Sequence, residues 1–300
     1  MANLKELKTR ISSVKSTQKI TSAMKMVAAS RLKKAQEAAE SARPYSEKMN
    51  SIVSSLITAR SSLDGAPPLL AGTGSEDNYL LVVMTSDRGL CGGYNSNIVR
   101  ETRLRARELK DSGKVVKFLC IGRKGRDQLK GEFGDEILHT YEDVGRGGIE
   151  FAEAENITNK VLELFDAGDF DVCMIIYNKF VSAITQVVTP QKIIPVEVTD
   201  DAEVSDDIEG HVVNHDFVYD FEPSEEGILE VLLPDNIKVQ IFGAMLESSA
   251  SEHGARMSAM DNATRNAGEM IDGLTLTFNR TRQAKITSEL IEIISGAEAL

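Results

Sequence analysis

The chain has 300 residues, of which 42% are hydrophobic and 27% charged, with a formal net charge of −12 and no Trp. That supply of apolar residues suits one large domain or two ordinary ones and argues against disorder, while the acidic balance argues against a general polyanion binder. Cys91, Cys120 and Cys173 are odd in number and widely spaced, as expected in a reducing compartment, and no apolar run approaches the ~18 residues of a membrane span.

From Asn3 to about Arg60, Leu4, Leu7, Ile11 and Val14 recur at helical spacing, and the stripe resumes at Ile20, Met24 and Val27 after one irregular step. This predicts a long helix, residues 1–60, with an interruption or kink at Pro44. Nine basic residues against the single acid Glu6 lie between Met1 and Lys34, so this helix calls for an acidic neighbour. Nucleic acid is a poorer candidate, because no aromatic residue precedes Tyr45 and no recognised binding motif is present. A Gly- and Pro-rich loop, DGAPPLLAGTGSED, ends the segment within residues 61–77.

Short β-rich runs then alternate with helical ones: YLLVVMT, NSNIVRETRLRARELKDSG, KVVKFLCIG, RKGRDQLKG, ENITNKVLELFDAGDF, DVCMIIY and ITQVVTPQKIIPVEV. Alternation of this kind predicts parallel strands with crossover helices, a small doubly wound α/β domain over residues 78–210. Its first strand runs into TSDRGLCGGYN, Thr85 to Asn95. One reading places a phosphate on the turn's backbone amides. The other, which we favour, makes Gly89, Gly92 and Gly93 a tight corner, since G-x-x-G-G is neither G-x-G-x-x-G nor a P-loop. No nucleophile with an assigned base is visible, and HVVNH (His211 to His215) lacks the glutamate of HExxH, so neither a catalytic nor a metal site is expected, and no cofactor. Glu197 to Glu209 holds seven acids and no base, as in a solvated loop.

From Asp235 there is no further proline, and apolar residues return at helical spacing: Ile237, Ile241, Met245, Ile271, Leu274, Phe278, Ile286, Leu290, Ile293, Ala297 and Leu300. A second long helix within 211–300 follows. Some 60 residues of helix span about 90 Å, against roughly 50 Å for a compact globule of this size, so a rod must project. Two such helices are expected to pair antiparallel with the α/β domain inserted between them, along a seam of small residues (Ala23, Ala28, Ala29, Ala35, Ala38, Ala255, Ala259, Ala263). Such a thin seam calls for surrounding partners. NRTRQAKIT, Asn279 to Thr287, interrupts the apolar helix with a collar of hydrogen-bonding side chains, either a solvated face or a contact ring for an enclosing partner.

LKTRISSVKSTQKITSAMKMVAASRLKKA, TSDRGLCGGYN and the final ESSASEHGARMSAMDNATRNAGEMIDGLTLTFNRTRQAKITSELIEIISGAEAL, in this order, resemble the gamma subunit of the F-type ATP synthase over nearly the whole chain. The resemblance implies a non-catalytic rotating shaft within a ring of alpha and beta subunits, with the α/β domain at its foot, against the epsilon subunit and the membrane rotor ring. It makes the glycine turn a structural corner, with nucleotides held by the ring. It implies contact between the beta subunit and Arg282, Gln283 and Thr287 of RQAKIT. It places Met24 of AMKMVAAS near the acidic lever of beta and Arg256 of ARM on the facing helix. HDFVYDFEPS assigns Tyr219 to the foot contact. A start at MANLKELK without a transit peptide is expected of a bacterial chain, peripheral on the cytoplasmic face of the inner membrane without insertion. The acidic segment at 197–209 departs from the family pattern, and the plastid members' regulatory cysteine pair is absent.

Overall fold

A computed structural model describes residues 4–59, 66–196 and 225–298. Two helices dominate it, α1 (Leu4–Ala59) and, last in the chain, α6 (Glu225–Glu298). At 1.5 Å per residue these are about 84 and 111 Å long. They pack against each other antiparallel: Thr264 Oγ1 donates to Thr21 Oγ1 at 2.8 Å, Lys25 Nζ meets Asp261 at 2.6 Å, and Asn236 Nδ2 donates to Asn50 Oδ1 at 2.9 Å. Between the first and last of these pairs α1 advances 29 residues while α6 retreats 28, so one register holds along the rod.

The sheltered face of α1 is a strict heptad: Leu4, Leu7, Ile11, Val14, Gln18 and Thr21, then Ala28, Leu32, Ala35, Ala39, Ala42, Ser46, Met49, Val53 and Leu56. Met260, Thr264, Ala267, Ile271, Leu274, Phe278 and Thr281 continue the same steps of four and three on α6. A sustained 3.5-residue repeat is that of a left-handed coiled coil. The irregular step in the apolar stripe is therefore corrected. The seam runs through Gln18, Thr21 and Lys25 instead, and Ile20 and Val27 face solvent. Polar residues keep the phase there because Thr21 and Lys25 have partners across the seam. Of the expected small residues Ala28 is fully buried, whereas Ala23 and Ala38 are exposed.

Both helices also run through a proline. Pro44 lies inside α1 without breaking it, and α6 begins ten residues before Asp235, with Pro234 inside. A proline removes one helical hydrogen bond. Leu229, Leu233 and Ile237, all buried on the sheet, hold the first turns of α6 in place across that gap.

Between α1 and α6 the chain makes a short helix α2 (Pro68–Ala71), then β1 (Asn78–Met84), α3 (Tyr94–Asp111), β2 (Val115–Ile121), α4 (Arg123–Phe133), β3 (Ile137–Tyr141), α5 (Phe151–Asp166), β4 (Val172–Phe180) and β5 (Gln186–Ile194). The sheet order is β3-β2-β1-β4-β5. Four strands are parallel; β5 turns back and pairs antiparallel with β4, so the last expected strand is an edge hairpin and not a fourth crossover. β3, half-exposed and only five residues long, had no apolar run to announce it. β1 is buried from Leu80 to Met84 on both faces, as a central parallel strand must be.

One face of the sheet is covered by α3 and α4, with Ile98, Leu129 and Phe133 packed on Phe118 and Val83. The other is covered by α5 together with α6 and the end of α1: Leu229, Leu233, Ile237, Ile241 and Met245 share a core with Leu80, Val82, Ile157 and Ile175, joined by Met49, Val53 and Leu56. The rod is thus one of the layers of the α/β domain, and the two cannot separate without opening that core.

Candidate interaction surfaces of the rod and its foot

At the glycine turn, Leu90 and Gly92 have φ of 66° and 57°, and α3 starts immediately after Gly93. The polar groups of the turn are used within it. Asn95 Oδ1 accepts from Ser86 N at 2.9 Å, Asn95 Nδ2 donates to Ser86 Oγ at 2.8 Å, and Ser86 Oγ donates to Arg88 O at 2.6 Å. A Cβ on Gly92 would stand 3.8 Å from Ala259 Cβ of α6, so the turn lies against the rod. Tyr94, buried behind it, hydrogen-bonds Ser248 Oγ at 2.6 Å, and Arg256 reaches the carbonyls of Arg88 and Gly89 at 3.5 and 3.4 Å. The geometry is that of a corner seated on α6. Burial pushes the Cys91 thiol up, which fits a packing role.

The neighbouring turn holds a signal that sequence reading missed. Gly122 has φ +91°, and a Cβ there would lie 2.1 Å from the carbonyl oxygen of Thr85. Thr85 Oγ1 in turn accepts from Gly125 N at 2.8 Å. The spacing G-x-x-G directly after β2 was the available clue, since only glycine allows that approach.

Between these turns and α6 lies a cleft of about 240 Å³, at the carboxyl ends of the parallel strands where open α/β sheets commonly bind ligands. Met245, Ser248, Glu252 and His253 of α6 form one of its walls. Arg256 pairs with Glu252 at 2.6 Å, one turn away. Burial pushes the Glu252 carboxyl up, against the pull of Arg256. Burial, then the charges of Arg256 and Arg31, hold His253 down to about 4, so it is neutral at pH 7. Arg256 therefore belongs to the joint between rod and foot, with only 12% of its side chain exposed.

The collar lies elsewhere. Extending the rod's register places Thr281 opposite Leu4, where α1 ends. Arg282, Gln283 and Thr287 begin the stretch of α6 that continues alone. All three are exposed, and Thr287 Oγ1 donates to the backbone oxygen of Gln283 at 3.0 Å. Beyond them Ile286, Leu290, Ile291, Ile293 and Ile294 are 48–68% exposed. Among the described residues, no part of α1 reaches Ile286, Leu290 or Ile293. Met24 is half-buried in the paired part of the rod, next to Lys25, which pairs with Asp261 across the seam. Tyr219, His211 and His215 lie outside the described residues. Among the described residues no cluster of His, Cys, Asp and Glu is arranged to hold a metal, and no helix is long and apolar enough to cross a membrane.

The sequence pattern of the family described as ATP synthase matches residues 3–300. A protein of Rhodospirillum rubrum called ATP synthase gamma chain is 55% identical over 300 residues, covering 100% of both chains. The chain belongs to the ATP synthase gamma family. Gamma chains of Parvibaculum lavamentivorans and Pelagibacter ubique are 55% and 52% identical, also over their full lengths. Among solved structures, a chain of the central stalk/c-ring of the Tetrahymena thermophila mitochondrial ATP synthase is 28% identical, with a TM-score of 0.59, covering 81% of this chain and 99% of that one. A chain of the Euglena gracilis mitochondrial ATP synthase, in a structure titled OSCP/F1/c-ring, has a TM-score of 0.68 at 21% identity and shares the fold. For a gamma-family chain, the exposed tip of α6 and the long paired rod fit an elongated central stalk.

Proposed function

We propose that this chain is the non-catalytic rotor shaft of an ATP synthase, carrying torque between a proton-driven membrane ring and a catalytic ring of alpha and beta subunits. The observation that carries this reading is the end of α6, which runs on past α1 as a single helix exposing five large aliphatic residues. Such a helix needs an enclosing apolar sleeve, and a ring supplies one. Below it, exposed basic residues of α1 such as Lys8, Lys15, Lys19 and Lys34 suit acidic loops of the ring.

In this reading Arg282, Gln283 and Thr287 touch the beta subunit where the shaft enters the sleeve, and Met24 passes its acidic lever. Arg256 supports the shaft from inside the joint. The foot meets the epsilon subunit and the membrane ring, Tyr219 among its contacts, on the cytoplasmic face of a bacterial inner membrane. A rigid, asymmetric rod then shows a different face to each ring subunit and stabilises a different conformation in each.

The test is ATP hydrolysis by purified alpha and beta subunits with and without this chain, beside a nucleotide titration of the chain alone. Strong stimulation without binding by the chain is expected. Absence of stimulation together with saturable micromolar nucleotide binding overturns the reading and returns the glycine turn to candidacy as a site.

A further inference from the structure

Where rod meets foot, five side chains from four elements form one unbroken hydrogen-bonded row. Tyr177 OH of β4 donates to Gln191 Oε1 of β5 at 3.3 Å, and Gln191 Nε2 donates to Gln240 Oε1 of α6 at 3.0 Å. Gln240 Nε2 then donates to Asn236 Oδ1 at 2.5 Å, and Asn236 Nδ2 to Asn50 Oδ1 of α1 at 2.9 Å. Every amide in the middle of the row both donates and accepts. Asn236 is 1% exposed and Tyr177 6%, Gln191 and Gln240 are half-buried, and Asn50 lies at the exposed end of the row. Buried polar rows are retained where they specify an arrangement that apolar packing alone leaves ambiguous.

That ambiguity is present here. The residues that α6 lays on the sheet, Leu229, Leu233, Ile237, Ile241 and Met245, recur every four positions. A slip of α6 by one turn, about 5.4 Å, puts Leu on the place of Leu, Ile on Leu and Met on Ile, with nearly the same apolar area buried. The amide row does not tolerate such a slip. In one direction Leu232 takes the place of Asn236 and Asn50 loses its partner. In the other, Ala244 takes the place of Gln240 and the link to Gln191 is cut.

We infer that Asn236 and Gln240 are positioning residues that lock the foot to the rod in one register, so that torque applied to the foot turns the shaft without a one-turn ratchet along α6. The hydroxyl ties from Tyr94 to Ser248 and from Ser251 to the carbonyl of Asn178 at 2.9 Å flank the lock on the same helix. This inference rests on the shaft reading.

A register reporter tests it in the assembled complex. A Cβ at Gly254 would lie 3.3 Å from Ala183 Cα at the turn of the β4–β5 hairpin, so Ala183→Cys with Gly254→Cys reports the native register. Ala183→Cys with Ser258→Cys, or with Ala250→Cys, reports a slip of one turn either way. With the row intact, oxidation during ATP hydrolysis should cross-link only the native pair. In the Asn236→Leu, Gln240→Leu background a slipped pair should rise at least five-fold. Adding Asn50→Ala, at an exposed position where water satisfies the lost amide, should leave the thermal midpoint of that background unchanged without abolishing the slip, separating register from mere folding. Cross-links confined to the native pair in every relay variant that still assembles and hydrolyses ATP overturn the lock. Loss of ATPase stimulation in the row-intact reporter strains would instead strike at the shaft reading.

Discussion

Replacing Arg282 or Gln283 by alanine separates what the collar does for the chain from what it does for the assembly. Both side chains are exposed and hydrogen-bond to nothing within the described residues; the bond from Thr287 goes to the backbone of Gln283 and survives the change. Alanine is the best helix former, and exposed substitutions of this kind shift stability by about 0.5 kcal/mol or less, so the free chain should melt as before. The assembly differs. A hydrogen bond to a charged group contributes about 1.5–3 kcal/mol, and a neutral one about 1 kcal/mol. If the ring subunit makes that bond only in the state the shaft selects, losing it slows turnover at about 1.4 kcal/mol per factor of ten. Arg282→Ala should then cut ATP hydrolysis by the complex roughly ten-fold and Gln283→Ala about five-fold, with assembly by gel filtration unchanged. Unchanged turnover in both variants would refute a state-selective contact, since an exposed collar that touches a partner equally in every state, or not at all, leaves the rate alone.

The joint gives three further expectations. Gly122→Ala forces a Cβ to within 2.1 Å of the Thr85 carbonyl at φ +91°, so it should cost about 3 kcal/mol or more, and urea midpoints against a Gly113→Ala control, strained but uncrowded, will show the clash separately from φ. Lys25→Ala removes an exposed pair and should barely move the melting midpoint, whereas Thr264→Val leaves buried Thr21 without its cross-seam partner and should cost about 1–2 kcal/mol, readable as a shift in that midpoint. His253, held down to about 4 from 6.5, binds a proton in the unfolded chain first, so its contribution is full above pH 6.5 and is lost as pH falls toward 4. Glu252, raised by burial, works in the opposite direction, and His253→Gln should therefore flatten or reverse the fall in unfolding midpoint between pH 6.5 and 5.

The two rod helices were readable because a heptad over 56 residues leaves a trace that survives interruptions, and the strand–helix alternation was readable because β1, β2 and β4 are apolar on both faces. What was hidden depended on pairs distant in sequence. Thr21 and Lys25 look like breaks in an apolar stripe until Thr264 and Asp261 face them. β5 reads like any other strand, because strand direction is set by the length of its connection, and only the tight turn from Phe180 to Gln186 makes it a hairpin. The amide row could not be seen at all: Asn50, Gln191, Asn236 and Gln240 are ordinary surface residue types, distinguished only by where the fold brings them. The collar was visible as a polar interruption, but its exposure follows from where α1 stops.

That end point decides what the tip of α6 should do. From Arg282 to Glu298 the helix runs for about 25 Å with no other described segment beside it. Ile286, Leu290, Ile291, Ile293 and Ile294 keep between 48% and 68% of their surface exposed. Completing the burial of an aliphatic side chain that is half covered gains about 1 kcal/mol, so a closely fitting sleeve should gain about 5 kcal/mol from the five. An isolated helix of this length is marginal in water, so enclosure should also suppress its fraying. Ile293→Ser with Ile294→Ser removes two of the five and should weaken retention of the chain by the ring about thirty-fold, at about 1 kcal/mol each. The same pair of changes should leave the melting of the free chain within about 0.5 kcal/mol, since nothing in α1 or the foot touches those residues. A dissociation rate from the ring that stays the same in the double variant would mean that no apolar sleeve closes on the tip, and that the five residues are carried by contacts made lower on the rod.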